Sequence, residues 1–340
     1  MKKSFLFTIA FAATVASCTQ DEKMVNVDYT EPSEIAIKFG TQSNIIAGVE
    51  QVASRAPITA WNNTNVGVFL LSKDADADWQ GQQTRDMVWN NVSAFISSDN
   101  SSRVELNGQS GYYPNQGDRN FSFFGYHPYS NNNLVFSPTT VTKTFNITGQ
   151  EDILWGKAEV EGNGYNAKYF RTNPEVVPNI AFGHVLTKLQ FKVKASPTFA
   201  EGQNFKVTGI KVINTADNVT LTVADRTGGT AGTITGDNDA ILTAYNNAIG
   251  ITISQGVDAT NAGDPIMLKT DQSYQIVLEM STPNSQGTRE TEPITINSGI
   301  DGFQQGYAYD VTLTINSFTE IRFTASLIDW VTGEPIEVEI

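Results

Sequence analysis

Few side chains in this 340-residue chain have the type and spacing that chemistry demands. Cys18 is the single cysteine, so no internal disulfide framework is possible, and its thiol stands directly behind a short apolar stretch, Ser4 to Ser17. If Cys18 is modified, the mature protein carries no free thiol. Arg55 sits in Val52-Ala53-Ser54-Arg55-Ala56-Pro57, where small and turn-forming neighbours mark an exposed bond between Arg55 and Ala56 that a protease can cut. His127 and His184 are the two histidines, and neither a histidine–cysteine metal cluster, a Gly-x-Ser-x-Gly elbow nor a phosphate-binding loop accompanies them. Asp74, Asp76 and Asp78 alternate like the start of a calcium loop. The sixth position, however, is Trp79 instead of glycine and the twelfth is Arg85 instead of glutamate, so the run reads as an acidic turn. No catalytic residue, metal or cofactor is expected. Carboxylate-pair hydrolysis has only the abundance of Asp and Glu in its favour.

The elements around these residues are strands. Charged residues make up 17% and apolar ones 40% of the chain, which places it among globular proteins. The formal net charge of -14 and the lack of any Lys/Arg run exclude a nucleic-acid partner. Met1-Lys2-Lys3 and the apolar stretch behind them are too short for a membrane span and read as a secretory signal, residues 1–17. Residues 19–34 form a tether. In Ile35-Ala36-Ile37-Lys38-Phe39 the apolar side chains fall at Ile35, Ile37 and Phe39, and the chain closes on the same alternation at Ile336, Val338 and Ile340. Val66 to Leu71 is a continuous apolar run and predicts a buried strand. Phe121 to Tyr129 predicts an aromatic-rich core strand. Phe182 to Lys194 predicts one long strand, and further short strands recur to Leu327. Ala240 to Ala248 predicts at most one short helix. Short strands at regular spacing with turn signals predict an all-β chain of antiparallel β-sandwiches. A loop-rich stretch, Glu159 to Pro178, sets the domain boundary and divides the body into 56–178 and 179–340.

At this level the chain resembles the fimbrillin family, the subunits of lipoprotein-derived (type V) pili. The resemblance rests on Val15-Ala16-Ser17-Cys18, which looks like a lipobox, and on Phe121 to Tyr129, Glu151 to Gly156, Phe182 to Leu189, Gly306 to Tyr309 and Ile328-Asp329-Trp330, in that order. It implies two transthyretin-like Greek-key sandwiches in tandem and a lipidated propeptide, residues 18–55. It implies export to the outer membrane with lipid on Cys18, then cleavage after Arg55 by an arginine-specific protease. The physical counterpart is strand replacement. Ile35, Ile37 and Phe39 would leave a groove in the N-terminal sandwich, and Ile336, Val338 and Ile340 of another pilus subunit, identical or related, would fill it. An unpaired sheet edge is a template for such a strand. Donor and acceptor are different surfaces, so the contact repeats into an open filament at the cell surface. The competing reading is a monomeric surface lipoprotein that binds glycans through Trp61, Trp79, Tyr112 and Tyr113.

Overall fold

In this computed structural model the described residues are 34–43, 61, 63–80, 85–97, 102–115, 119–160, 164–199, 205–281, 287–317 and 320–328. The first half supplies Ile35–Ala36 (β1), Gly40–Ser43 (β2), Thr64–Ser72 (β3), Met87–Ile96 (β4), Ser102–Glu105 (β5), Tyr112–Tyr113 (β6) and Phe121–His127 (β7). Leu134–Phe136 (β8), Thr140–Asn146 (β9), Leu154–Ala158 (β10), the short helix Ala167–Thr172 (α1) and Asn179–His184 (β11) follow. Next come Thr187–Ala195 (β12), Lys206–Thr215 (β13), Asn218–Asp225 (β14), Ile234–Thr235 (β15), Ala240–Thr252 (β16) and Thr260–Asn261 (β17). Ile266–Leu268 (β18), Ser273–Ser281 (β19), Thr288–Glu290 (β20), Ile294–Asn297 (β21), Ala308–Ile315 (β22) and Ile321–Ile328 (β23) complete the set.

A seven-stranded sheet, ordered β2-β11-β10-β7-β3-β4-β5, is the platform of the N-terminal half. The apolar run of β3 explains itself here, because the strand is buried on both faces. Val66, Val68 and Leu70 point into one core, while Phe69 and Leu71 point into the other. The second core is closed by a four-stranded sheet, β15-β14-β9-β8, through Val141, Phe145 and Leu221. Gly125 and Gly156 face each other across β7 and β10. A Cβ on Gly125 would lie 2.6 Å from the Phe182 ring, and one on Gly156 would lie 2.3 Å from the Ala181 carbonyl. The paired glycines therefore make the slot into which β11 settles. In the second half, β17-β12-β22-β23 faces β16-β13-β19-β20, with β18 also on β12 and β21 also on β19. Most pairs are antiparallel; β2 with β11 and β12 with β22 run parallel. The architecture is all-β and consists of stacked sheets, as the strand spacing predicts.

Three local expectations are corrected. Phe182 to Lys194 is two strands. The chain turns at the buried pair Val185 and Leu186, where the Val185 N–H donates to the Ile153 carbonyl (3.0 Å) and Leu186 accepts from Gly306 N–H (2.9 Å). Ala240 to Ala248 is strand, paired along β13 with register shifts. Pairing across the sheet overrides the weak strand preference of Ala and Asn there. A helix does occur inside the loop-rich Glu159 to Pro178, where Asn166 caps α1 by accepting from Tyr169 N–H at 2.7 Å. Hydrogen bonding also runs across residue 178, since β11 belongs to the N-terminal sheet.

Candidate assembly site

The segment 34–43 runs from β6 to the edge of the seven-stranded sheet, which its last four residues join as β2. At one end β1 pairs antiparallel with β6, Ile35 opposite Tyr113, and the Ile37 N–H donates to the Gly111 carbonyl at 2.8 Å. At the other end β2 runs parallel to β11, and the Gly40 N–H donates to the Pro178 carbonyl at 2.9 Å. Between the two ladders, Lys38 reaches out to the Pro174 carbonyl (3.0 Å). Alternation does the rest: Ile35, Ile37 and Phe39 are half-buried against the core, while Ala36 and Lys38 are exposed.

The groove under these side chains is aromatic. Phe39 stands edge-on to Trp89 at 6.3 Å and lies 6.0 Å from Phe123. Behind them Tyr165 and Phe170 stack at 5.6 Å, and Phe170 stacks on Tyr113 at 5.2 Å. Trp89 is fixed by its Nε1–H to the Ser110 carbonyl (2.8 Å), which ties β4 to the loop before β6. Two polar atoms in this core, Tyr113 Oη and Trp61 Nε1, are buried without a hydrogen-bond partner among the described residues. Burial, and secondarily the Tyr165 hydroxyl, push the Tyr113 phenol well above its ordinary range, so it stays neutral at any physiological pH.

Of the residues singled out from sequence, the structure brings Ile35, Ile37 and Phe39 onto one surface. Cys18, Arg55, Ala56, Ile336, Val338 and Ile340 lie outside the described residues. The aromatic quartet read as a glycan platform does not form one. Trp61, Trp79 and Tyr113 are core residues, leaving Tyr112 as the exposed member. Trp79 donates from Nε1 to the Ser72 carbonyl (3.0 Å), and Trp61 is edge-on to Phe182. Arg119 is buried against the acidic turn. Its guanidinium lies 3.1 Å from Asp76, 3.8 Å from Asp74 and 2.9 Å from Asp86 Oδ1, the last off hydrogen-bond alignment. The two histidines, assigned to separate domains by the sequence boundary, flank Leu154 from β7 and β11 in one sheet. His184 Nδ1 pairs with Asp152 (2.9 Å), and His127 Nδ1 is 3.1 Å from the Asn65 carbonyl. Burial lowers the His127 pKa.

Sequence reasoning missed Trp89, Tyr113, Tyr165 and Phe170 as walls of the groove. The Asn166 cap ahead of Ala167 was the readable signal for α1, which brings Phe170 in.

The family model for fimbrillin-like proteins matches residues 54–330. The chain belongs to the fimbrillin-like family. As a member of a fimbrillin-like family, the chain is a structural, pilus-type subunit of the cell surface. It is similar in fold to a candidate cell adhesion protein from Bacteroides ovatus, at 18% identity and TM-score 0.51, with 88% of this chain and 99% of that chain covered. A candidate cell adhesion protein from Bacteroides uniformis matches at 17% identity and TM-score 0.50, covering 88% of this chain and 98% of the other. A fimbrial protein from Bacteroides vulgatus matches at 15% identity and TM-score 0.50, covering 86% and 99%. No curated protein matches the chain in sequence.

Proposed function

We propose that this fimbrillin-like chain is exported as a lipoprotein acylated on Cys18, is cut between Arg55 and Ala56 by an arginine-specific protease, and polymerises by strand exchange. Residues 1–17 are the signal, 18–55 the propeptide, and the two halves of the body are the acceptor and donor sandwiches. The observation that carries this reading is the seating of segment 34–43. Its three apolar side chains cover a buried aromatic groove, yet they are only half-buried and are held by short ladders at two separate edges. Full burial of an aliphatic side chain contributes roughly 1.5–3 kcal/mol, so half-burial leaves room for a better occupant. Departure of the segment uncovers β6 and one edge of β11, which are templates for another chain. Ile336, Val338 and Ile340 of a neighbouring subunit, identical or related, have the same alternation and would settle there with Glu337 and Glu339 facing water.

The test is the intact mass and first residue of the protein recovered from the cell surface. A chain beginning at Ala56, in ladders that survive SDS, is the expected result. A monomer beginning at acylated Cys18 would remove strand exchange and leave a membrane-anchored lipoprotein. Of the glycan reading, only Tyr112 retains an exposed ring, and that surface is not favoured.

A further inference from the structure

A second surface lies in the other half of the molecule. A cavity of about 610 Å³ opens between the loop preceding β22, the start of β22 and the end of β23. That volume is in the range of small-molecule sites, ~300–1,000 Å³. Its floor is rigid. Tyr309 is buried, its hydroxyl accepts from the Gln304 N–H (3.0 Å), and its ring stands edge-on to Phe303, which packs on Tyr274. The loop above it is braced at several points. Ser298 Oγ donates to the Gly302 carbonyl, Gln304 Nε2 to the Asp301 carbonyl (2.7 Å) and Thr187 Oγ1 to the Gln304 carbonyl (2.8 Å). Gly302 has φ +69°, and a Cβ there would meet the Gln272 backbone at 2.8 Å, so glycine is what lets the loop lie against Gln272.

On this rigid frame, three lining side chains have polar ends that bond to none of the described residues: the Gln272 amide, the Asp301 carboxylate and the Tyr307 hydroxyl. Beside them Tyr307 is 50% and Ile300 100% exposed, an apolar ring and an aliphatic wall facing water. An apolar peptide laid here would strip water from Asp301 without replacing its hydrogen bonds. A pyranose satisfies both demands, because its C–H face covers an aromatic ring while its hydroxyls donate to a carboxylate and exchange bonds with an amide. The chain's net charge of -14 and the Asp301 carboxylate disfavour an anionic sugar. We propose that this cavity is a glycan site for a neutral pyranose, with Tyr307 as the stacking face and Asp301 and Gln272 as the hydroxyl partners. The proposal does not depend on strand exchange.

The test is saturation-transfer NMR on the full chain with cellobiose, maltose, lactose and mannobiose, and with sialyllactose as the anionic control. At least one neutral disaccharide is expected to show transfer. That signal should vanish in Tyr307→Ala, persist in Tyr307→Phe and Tyr112→Ala, and weaken about tenfold or more in affinity in Asp301→Asn, the scale of one hydrogen bond to a charged group. Asp301 is exposed, so Asp301→Asn keeps the test alive should Tyr307→Ala unfold. Melting curves of each variant separate loss of the site from loss of the fold. No transfer from any neutral disaccharide, preference for sialyllactose, or undiminished binding in both Tyr307→Ala and Asp301→Asn would overturn the assignment.

Discussion

Arg119 gathers carboxylates of the acidic turn around one buried cation. Its side chain is 6% exposed and faces three carboxylates, of which Asp86 is itself buried. Removing one partner of a buried pair leaves an uncompensated charge, at a cost of about 3–5 kcal/mol. Arg119→Met should therefore lower the unfolding free energy by that amount, read as a drop in the urea midpoint at unchanged slope, whereas Arg103→Met, at an exposed pair, should leave the midpoint nearly unchanged. Equal midpoints for the two variants would show the cluster to be ornamental. Asp225 makes the complementary case. Burial alone raises its pKa, but side-chain and backbone hydrogen bonds from Thr227 and Thr230 outweigh that and bring the carboxyl from 3.8 down to about 2. The folded pKa is depressed, so the stabilisation is complete above pH 3.8 and is lost as pH falls through about 2. Asp225→Asn should flatten the stability curve in that acid window, measured by denaturant unfolding at each pH. A curve as steep as that of the unmodified chain would place the acid sensitivity elsewhere.

At the scale of elements, the segment 34–43 is the piece whose attachment can be weakened selectively. Phe39 is its anchor on Trp89 and Phe123. Truncation to alanine removes that packing, a loss of up to about 3–5 kcal/mol at a fully buried phenylalanine and less at this half-buried one. In the uncleaved chain, Phe39→Ala should speed hydrogen exchange at the Ile37 and Gly40 amides while leaving β3 and β7 protected. Exchange that rises equally everywhere would mean the segment and the sheet open as one unit. The same element shows what sequence can and cannot convey. Alternation at Ile35, Ile37 and Phe39 was legible because one face meets the core and the other meets water. The long run in β3 was legible because both faces are buried. Ala240 to Ala248 was not: its strand state comes from β13 alongside, and nothing local specifies it. Nor could alternation tell that Trp61 and Trp79 are interior, since each sits outside any strand and is buried by contacts distant in sequence, Phe182 and Phe124 respectively. The break at Val185 and Leu186 was hidden for the opposite reason, because two buried apolar residues look like strand when only their types are read.

For the whole molecule, charge governs how copies meet. A formal net charge of -14 makes two copies repel before any groove and strand can engage. Raising salt from ~0.01 M to ~0.15 M shortens the screening length from about 30 Å to about 8 Å. Growth of the proposed filament from chains cut after Arg55 should therefore accelerate with salt, followed by light scattering or by the growth of SDS-stable ladders. A rate that falls with salt would point to complementary charged faces instead. The halves of the body are not joined by a slack linker. β9 lies against β14 from Thr140 to Asn146, Trp155 donates to the Val223 carbonyl at 2.7 Å, and Arg226 reaches back to the carbonyls of Asp74 and Ala75. β11 passes into β12 through two buried residues. A processed subunit of the proposed filament, pulled between its strand-accepting groove and the end of β23, meets no hinge between the halves among the described residues. Tension is shared across a ladder and its cross-ties, so the body should stretch as a single stiff spring.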